Sequence, residues 1–233
     1  MIVGTVKEIK KLEFRVGMTP DNVADYVNAG HKVLVETGAG LGCNFEDAEY
    51  VEAGAEIVET KEQVWAKADM IIKVKEPLPE EYPLIRENQI LYTYLHLAAD
   101  LPQAKAIRDA GAKAVAYETM VDRGTLPCLI PMSQIAGSLA AHEGAKYLEK
   151  SFGGRGGLLN SIPGVEPAKV VVLGGGTAGT YAAQVAAGMG ANVTIVDKSL
   201  PRLQQLKDIF MGANVDTLYS TPANITRVLQ DAD

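Results

Sequence analysis

Cysteine is nearly absent. Cys43 and Cys128 are the two in 233 residues, and neither stands in a CxxC pair or a Cys/His cluster. That argues against a disulfide framework or a metal site and for a reducing compartment. Aromatics make up 6% of the chain, and the single tryptophan, Trp65, reads as core. Basic residues are the minority, 22 Lys plus Arg against 29 Asp plus Glu, for a net charge of −7 without a basic cluster. No nucleic-acid partner is expected from that balance. No run approaches the ~18 apolar residues of a membrane span. The opening MIVGTVKEIKK has no apolar leader core, so a cytoplasmic protein with no membrane partner is expected.

What is abundant is alanine and glycine, within 47% hydrophobic and 22% charged residues, a composition suited to closely packed helices on sheets. Short runs rich in β-branched and aromatic residues predict strands at 2–6, 32–36, 70–74, 89–94 and 113–118. Between them TPDNVADYVNAG, FEDAEYVEAGA, TKEQVWAKA and LPQAKAIRDAG have helical periodicity, with Thr19, Thr60 and Asp100 as N-caps. A long helix is predicted over 133–150, and FGGRGGLLNSIPGVEP (152–167) is a loop by its glycine and proline content. A second alternation follows: strand VVVL, helix 177–190, strand 192–196, helix 200–211, strand 215–219, helix 222–231. Strands alternating with helices predict an α/β protein with two doubly wound parallel-sheet domains, 1–128 and 129–233.

The second domain opens on VVVLGGGTAGT, in which Gly174, Gly176 and Gly179 fit G-x-G-x-x-G. Alone the spacing is weak, because Ala/Gly-rich chains produce it by chance. Here it follows an apolar strand, opens a helix, and is answered by Asp197 at the end of the next strand, 18 residues after Gly179. In a dinucleotide site the first glycine turns the chain, the second admits the pyrophosphate, and the third lets helix and strand pack. The helix N-terminus faces the phosphates. A carboxylate at 197 accepts hydrogen bonds from ribose hydroxyls and repels a 2′-phosphate, which favours NAD over NADP.

In the first domain Arg15, Lys75, His96 and Glu118 stand out. Lys75 and His96 follow strands, and open α/β sheets bind ligands beyond the carboxyl ends of their strands. By type alone Arg, Lys and Glu are usually solvated, and His96 could be a half-buried histidine. His31 and His142 read as ordinary.

Taken together, KEIKKLEFRVGMTP, HKVLVETGAGLGCNFEDAEYVEAGAEI, IIKVKEPLPEEY, LYTYLHLAAD, IPMSQIAGSLAAHEGAKYLEK, GGRGGLL, PGVEPAKVVVLGGGTAG and VTIVDK resemble the alanine dehydrogenase family from end to end. The resemblance implies NAD-dependent, reversible oxidative deamination of L-alanine to pyruvate and ammonium, by a homo-oligomer. It implies that Arg15 and Lys75 bind the substrate's carboxylate and carbonyl, that His96 is the general acid/base, and that Tyr94 and Glu118 support the pocket. Ser133, Thr177, Ala178, Asp197, Arg202 and Ser220 would contact the cofactor with the three glycines.

A rival is the NAD-binding component of proton-translocating transhydrogenase, which shares the RVGMTP-like opening but not PMSQIAGSLAA. A third reading is a non-catalytic dinucleotide-binding fragment. A full dinucleotide domain has six strands in the order 3-2-1-4-5-6, whereas three are predicted before Asp233. The expectation is therefore an incomplete Rossmann domain, with VVVL an unpaired edge. The chain would then lack the family's C-terminal part, and alone it would not turn over alanine at family rates.

Overall fold

Apolar residues that alternate between two buried clusters build the first sheet. In β2 (Lys32–Glu36), Val33 and Val35 pack with Val3, Met18, Val23, Tyr50 and Ile72, while Leu34 packs on the other face with Val64, Trp65, Ile71, Leu91 and Ile107. A strand buried on both faces is what a parallel sheet with helices on either side requires. Burying each such side chain contributes roughly 1.5–3 kcal/mol.

The computed structural model describes residues 1–233, which divide into two units, Met1–Leu126 and Pro127–Asp233. In the first, β1 (Ile2–Thr5), β2, β3 (Glu56–Val58), β4 (Met70–Ile72), β5 (Ile90–Thr93) and β6 (Lys113–Ala116) form a parallel sheet in the order β3-β2-β1-β4-β5-β6. Five strands are expected from sequence; the sixth, β3, is a three-residue edge strand between two helices, too short for an alternation to register. The order reverses between β1 and β4, so this unit has its switch point beyond Thr5 and Ile72.

Helices α1 (Pro20–Asn28), α2 (Asp47–Glu52), α3 (Lys61–Lys67) and α4 (Leu101–Ala110) connect the strands. Thr19, Thr60 and Asp100 cap α1, α3 and α4, each side chain accepting from the backbone N–H of Asn22, Gln63 or Gln103. Helix α4 stops at Gly111, whose φ of +71° suits glycine.

The second unit begins with α5 (Ile130–Tyr147), three residues earlier than its periodicity predicts. Then β7 (Lys169–Leu173), α6 (Thr177–Gly188), β8 (Asn192–Asp197), α7 (Leu200–Ile209), β9 (Val215–Tyr219) and α8 (Pro222–Gln230) alternate, with a parallel sheet in the order β7-β8-β9. Leu159, Ala183, Ala186, Val193, Ile195, Leu206 and Phe210 form its core. Strand β7 is an edge, paired along its length to β8 alone. At its start Lys169 donates its N–H to Asp233 Oδ2 (2.8 Å), and the Asp233 N–H donates back to the Lys169 carbonyl (3.0 Å). No helix is long and apolar enough to cross a membrane.

Candidate functional site

The segment after β1 carries Arg15, and the segment after β4 carries Lys75, so the two cations flank the switch point of the first sheet. Arg15 forks onto Glu13: Nε donates to Oε1 (2.7 Å) and Nη2 to Oε2 (2.6 Å), and the Arg15 backbone N–H adds a bond to Oε1 (3.0 Å). Hydrogen bonding from Arg15 is the largest of the effects that hold the Glu13 carboxyl down to about 2; its charge and that of Lys75 add to it. Arg15 thus holds Glu13 directly, and Lys75 adds a weaker attraction to the same carboxylate. Tyr94 and Glu8 are also within electrostatic reach of Arg15.

Main-chain clamps recur at each of these positions. The Lys75 N–H donates to Glu8 Oε1 (3.2 Å), as does that of Val74 (2.6 Å). The Lys75 carbonyl accepts from Thr93 Oγ1 (2.9 Å). After β5, the N–H groups of Leu95 (3.2 Å) and His96 (2.7 Å) donate to Glu118 Oε1. Glu118 sits in a one-turn helix after β6, beside Tyr117, whose ring meets those of Tyr92 and Tyr94 edge-on at 4.2 and 4.7 Å. His96 is exposed, with φ +50°, a left-handed conformation that costs a non-glycine residue roughly 1–2 kcal/mol. The Glu118 clamp opposes that cost, and His96 and Glu118 line, with residues 97–99, Ala116 and Thr119, an open pocket of about 440 Å³.

Glu8 and Glu13 are absent from the sequence expectations. In the lysine-rich run KEIKKLEFR they look like solvated charges; only the folded chain brings Glu8 against the β4 segment.

In the second unit, Gly174 has φ +100° and its N–H bonds the Val196 carbonyl (2.8 Å). A Cβ on Gly179 would run into the Gly174 carbonyl, while one on Gly176 would meet nothing within 4 Å. Gly176 is the N-cap of the 12-residue α6 and brings no side chain to its first amides, which leaves them available to a phosphate in the room beside that glycine. Asp197 Oδ2 accepts from the Gly175 N–H (2.7 Å) and Oδ1 from that of Ser199 (2.8 Å). Those two peptide donors, Ser199 first, push its pKa below the usual value. Each oxygen keeps a lone pair for a ribose hydroxyl.

Arg202 lies over the turn, Nε donating to the Gly175 carbonyl (2.6 Å) and Nη2 to Thr180 Oγ1 (2.8 Å). The Ser220 N–H donates to the Asp197 carbonyl (2.9 Å). Thr177 and Ala178 form the first turn of α6. Ser133 is one turn from Gly137 on the same face of α5, and Gly137 packs so closely on the Ala178 carbonyl that a side chain there would collide with it.

The profile described as "Alanine dehydrogenase/PNT, N-terminal domain" matches residues 4–136, and "Alanine dehydrogenase/PNT, C-terminal domain" matches 140–233. Alanine dehydrogenase of Bacillus subtilis (strain 168) is 53% identical over 233 residues, covering all of this chain and 61% of the relative. Alanine dehydrogenase of Methanococcus maripaludis is 53% identical over 235 residues, with 62% of its length covered. A solved L-alanine dehydrogenase superposes with a TM-score of 0.94 at 48% identity, over all of this chain and 64% of that one. A transhydrogenase from Sinorhizobium meliloti superposes with 0.80 at 26% identity, over 99% of this chain and 64% of that one. The chain thus spans just over three fifths of the length of these relatives. Their fold implies a nicotinamide dinucleotide cofactor. With both profiles matched in order and each unit folded as in these relatives, the chain belongs to the alanine dehydrogenase/PNT family.

Proposed function

We propose that this chain supplies the substrate-binding and dinucleotide-binding residues of an NAD-dependent alanine dehydrogenase, which converts L-alanine reversibly to pyruvate and ammonium. The observation that carries the reading is the placement of Arg15 and Lys75 in the segments that follow β1 and β4, on either side of the switch point of the first sheet. Two cations flanking a switch point suit a small 2-amino or 2-oxo acid, the guanidinium fork taking its planar carboxylate, as it takes that of Glu13, and the ammonium an oxygen. Identity of 53% to two alanine dehydrogenases, against 26% to the transhydrogenase, favours this over the hydride-exchanging alternative.

In this reading residues 1–128 form the substrate domain, and 129–233 the linking helix and part of the NAD-binding domain. NAD would supply the acceptor for the hydride that leaves Cα of alanine. The Gly174–Gly179 turn and the α6 N-terminus would hold its pyrophosphate, and Asp197 the adenosine ribose. Ser133, Arg202 and Ser220 border that site. His96 holds the proton of the water that replaces the amine, and returns it in the reverse direction. Tyr94 and Glu118 keep the pocket in shape. A cytoplasmic homo-oligomer fits the reading.

The test is an assay of alanine-dependent NADH formation with the parent and His96→Ala, each extended by the C-terminal part that the relatives carry beyond the matched length, alongside NAD binding by calorimetry. Loss of turnover by roughly a hundredfold or more with NAD affinity unchanged is expected. Equal turnover in the two proteins would remove His96 from the mechanism.

A further inference from the structure

We propose that Glu8 is a positioning residue for the anion pocket: its carboxylate, paired with buried Lys73, sets where the Lys75 main chain stands relative to the Arg15 segment. The inference rests on reading Arg15 and Lys75 as ligands of a substrate carboxylate. Glu8 lies between β1 and Arg15, whereas Lys75 follows β4. The ladder between those strands ends at the Thr5–Ile72 pair, and Thr5 Oγ1 donates to the Ile72 carbonyl there (2.9 Å). Beyond that point Glu8 takes over the spacing. One of its oxygens accepts the Val74 and Lys75 amides, and the other is 3.5 Å from Lys73 Nζ.

Lys73 in turn donates to Glu81 Oε1 (2.7 Å), and Glu81 Oε2 accepts the Leu78 N–H (3.0 Å). The side chains of Glu8, Lys73 and Glu81 are 2%, 1% and 0% exposed. A Lys10–Glu76 salt bridge at the rim joins the same two segments. Buried charges are a poor means of stabilising a loop, since apolar packing of equal volume often does as well. What the carboxylate provides is direction. With one oxygen on two successive N–H groups and the other on a fixed ammonium, it leaves the Lys75 Cα little freedom to turn away from Arg15.

The experiment is a two-dimensional NMR titration of pyruvate into the full chain, with hydrogen exchange at the Val74 and Lys75 amides. The parent, Glu8→Ala, Glu8→Gln, Glu81→Gln and Lys75→Ala are compared. Glu8→Ala is expected to weaken pyruvate roughly tenfold, the loss of charge-assisted bonds that set the pocket. It should also speed both amides about tenfold or more. Glu8→Gln keeps an acceptor for the two amides and recovers most of both effects; it also serves if the alanine variant does not fold. Glu81→Gln is as deeply buried and shares Lys73, but is bonded to Leu78, and should leave pyruvate affinity within about threefold.

Equal losses in the Glu8 and Glu81 variants would make Glu8 a general stabiliser and overturn the proposal. Unchanged amide exchange in Glu8→Ala would overturn it too. A parent chain that responds to pyruvate no more than Lys75→Ala overturns the pocket reading instead, and the amide exchange still decides whether Glu8 holds the Lys75 main chain.

Discussion

Replacing Gly179 with alanine places a methyl group 3.0 Å from the carbonyl carbon of Gly174 and 3.1 Å from Val172 Cγ1, and nearer still to the Gly174 oxygen. None of these can yield cheaply. Gly174 is pinned by its N–H bond to Val196, and Val172 belongs to β7. Helix propensity alone would favour alanine by about 1 kcal/mol. Overpacking costs typically ~1–3 kcal/mol and more where backbone is the obstacle, so a net loss of about 1–2 kcal/mol is expected. Because the displaced atoms are the phosphate turn itself, NAD affinity should fall by about tenfold or more.

Gly188 at the other end of α6 is the control, since a Cβ there meets nothing within 4 Å. Gly188→Ala should raise stability by roughly 0.5–1 kcal/mol and leave NAD binding unchanged. The assay is hydrogen exchange of the α6 and β8 amides together with calorimetric NAD titration. If Gly179→Ala stabilises α6 as Gly188→Ala does and binds NAD as the parent does, the argument from close packing of turn and helix is refuted.

Asp197→Ser removes the carboxylate that discriminates against a 2′-phosphate and loosens the Gly175 and Ser199 amides it accepts. The ratio of NADP to NAD affinity should rise about tenfold, and an unchanged ratio would take Asp197 out of cofactor choice. The Glu13 carboxyl, read by its ¹³C shift, should titrate at about 2, against an ordinary 4.5. A folded pKa below the unfolded one means stabilisation that is complete above the unfolded value and lost as pH falls through the folded one. Acid should therefore cost the Arg15–Glu13 fork between pH 4.5 and about 2. Arg15→Gln should move the midpoint up toward the ordinary range, and a midpoint that stays put would deny Arg15 its part.

Much of the architecture was legible because local rules agreed with the fold. Thr19, Thr60 and Asp100 are residues whose side chains compete for backbone amides, and each caps the helix that begins after it. Gly111 and Gly174 occupy positive φ, where side chains are disfavoured. Strand β3 was not legible. Glu56–Val58 is held by pairing with Leu34–Glu36, a partner more than 20 residues away. The site divides in the same way. Lys75 and His96 could be picked out because they follow strands at the carboxyl end of a sheet. The partners of Arg15 and Lys75 could not, because a glutamate in a lysine-rich run carries no sign of being buried. Glu8 meets Val74 and Lys75 across 66 and 67 residues.

Arg15, Lys75 and His96 are each held through a main-chain N–H by a glutamate, at 3.0, 3.2 and 2.7 Å. The clamps by Glu8 and Glu118 touch the peptide and are blind to the side chain that the peptide carries, whereas Glu13 also holds the Arg15 guanidinium. Reactive groups at positions 75 and 96 can therefore be exchanged while the loops that display them keep their shape. The same frame could pass from one small 2-oxo acid to another by substituting the displayed side chains, with Glu8, Glu13 and Glu118 left in place. Substrate range would then be the variable part of this unit, and the three acids its fixed part.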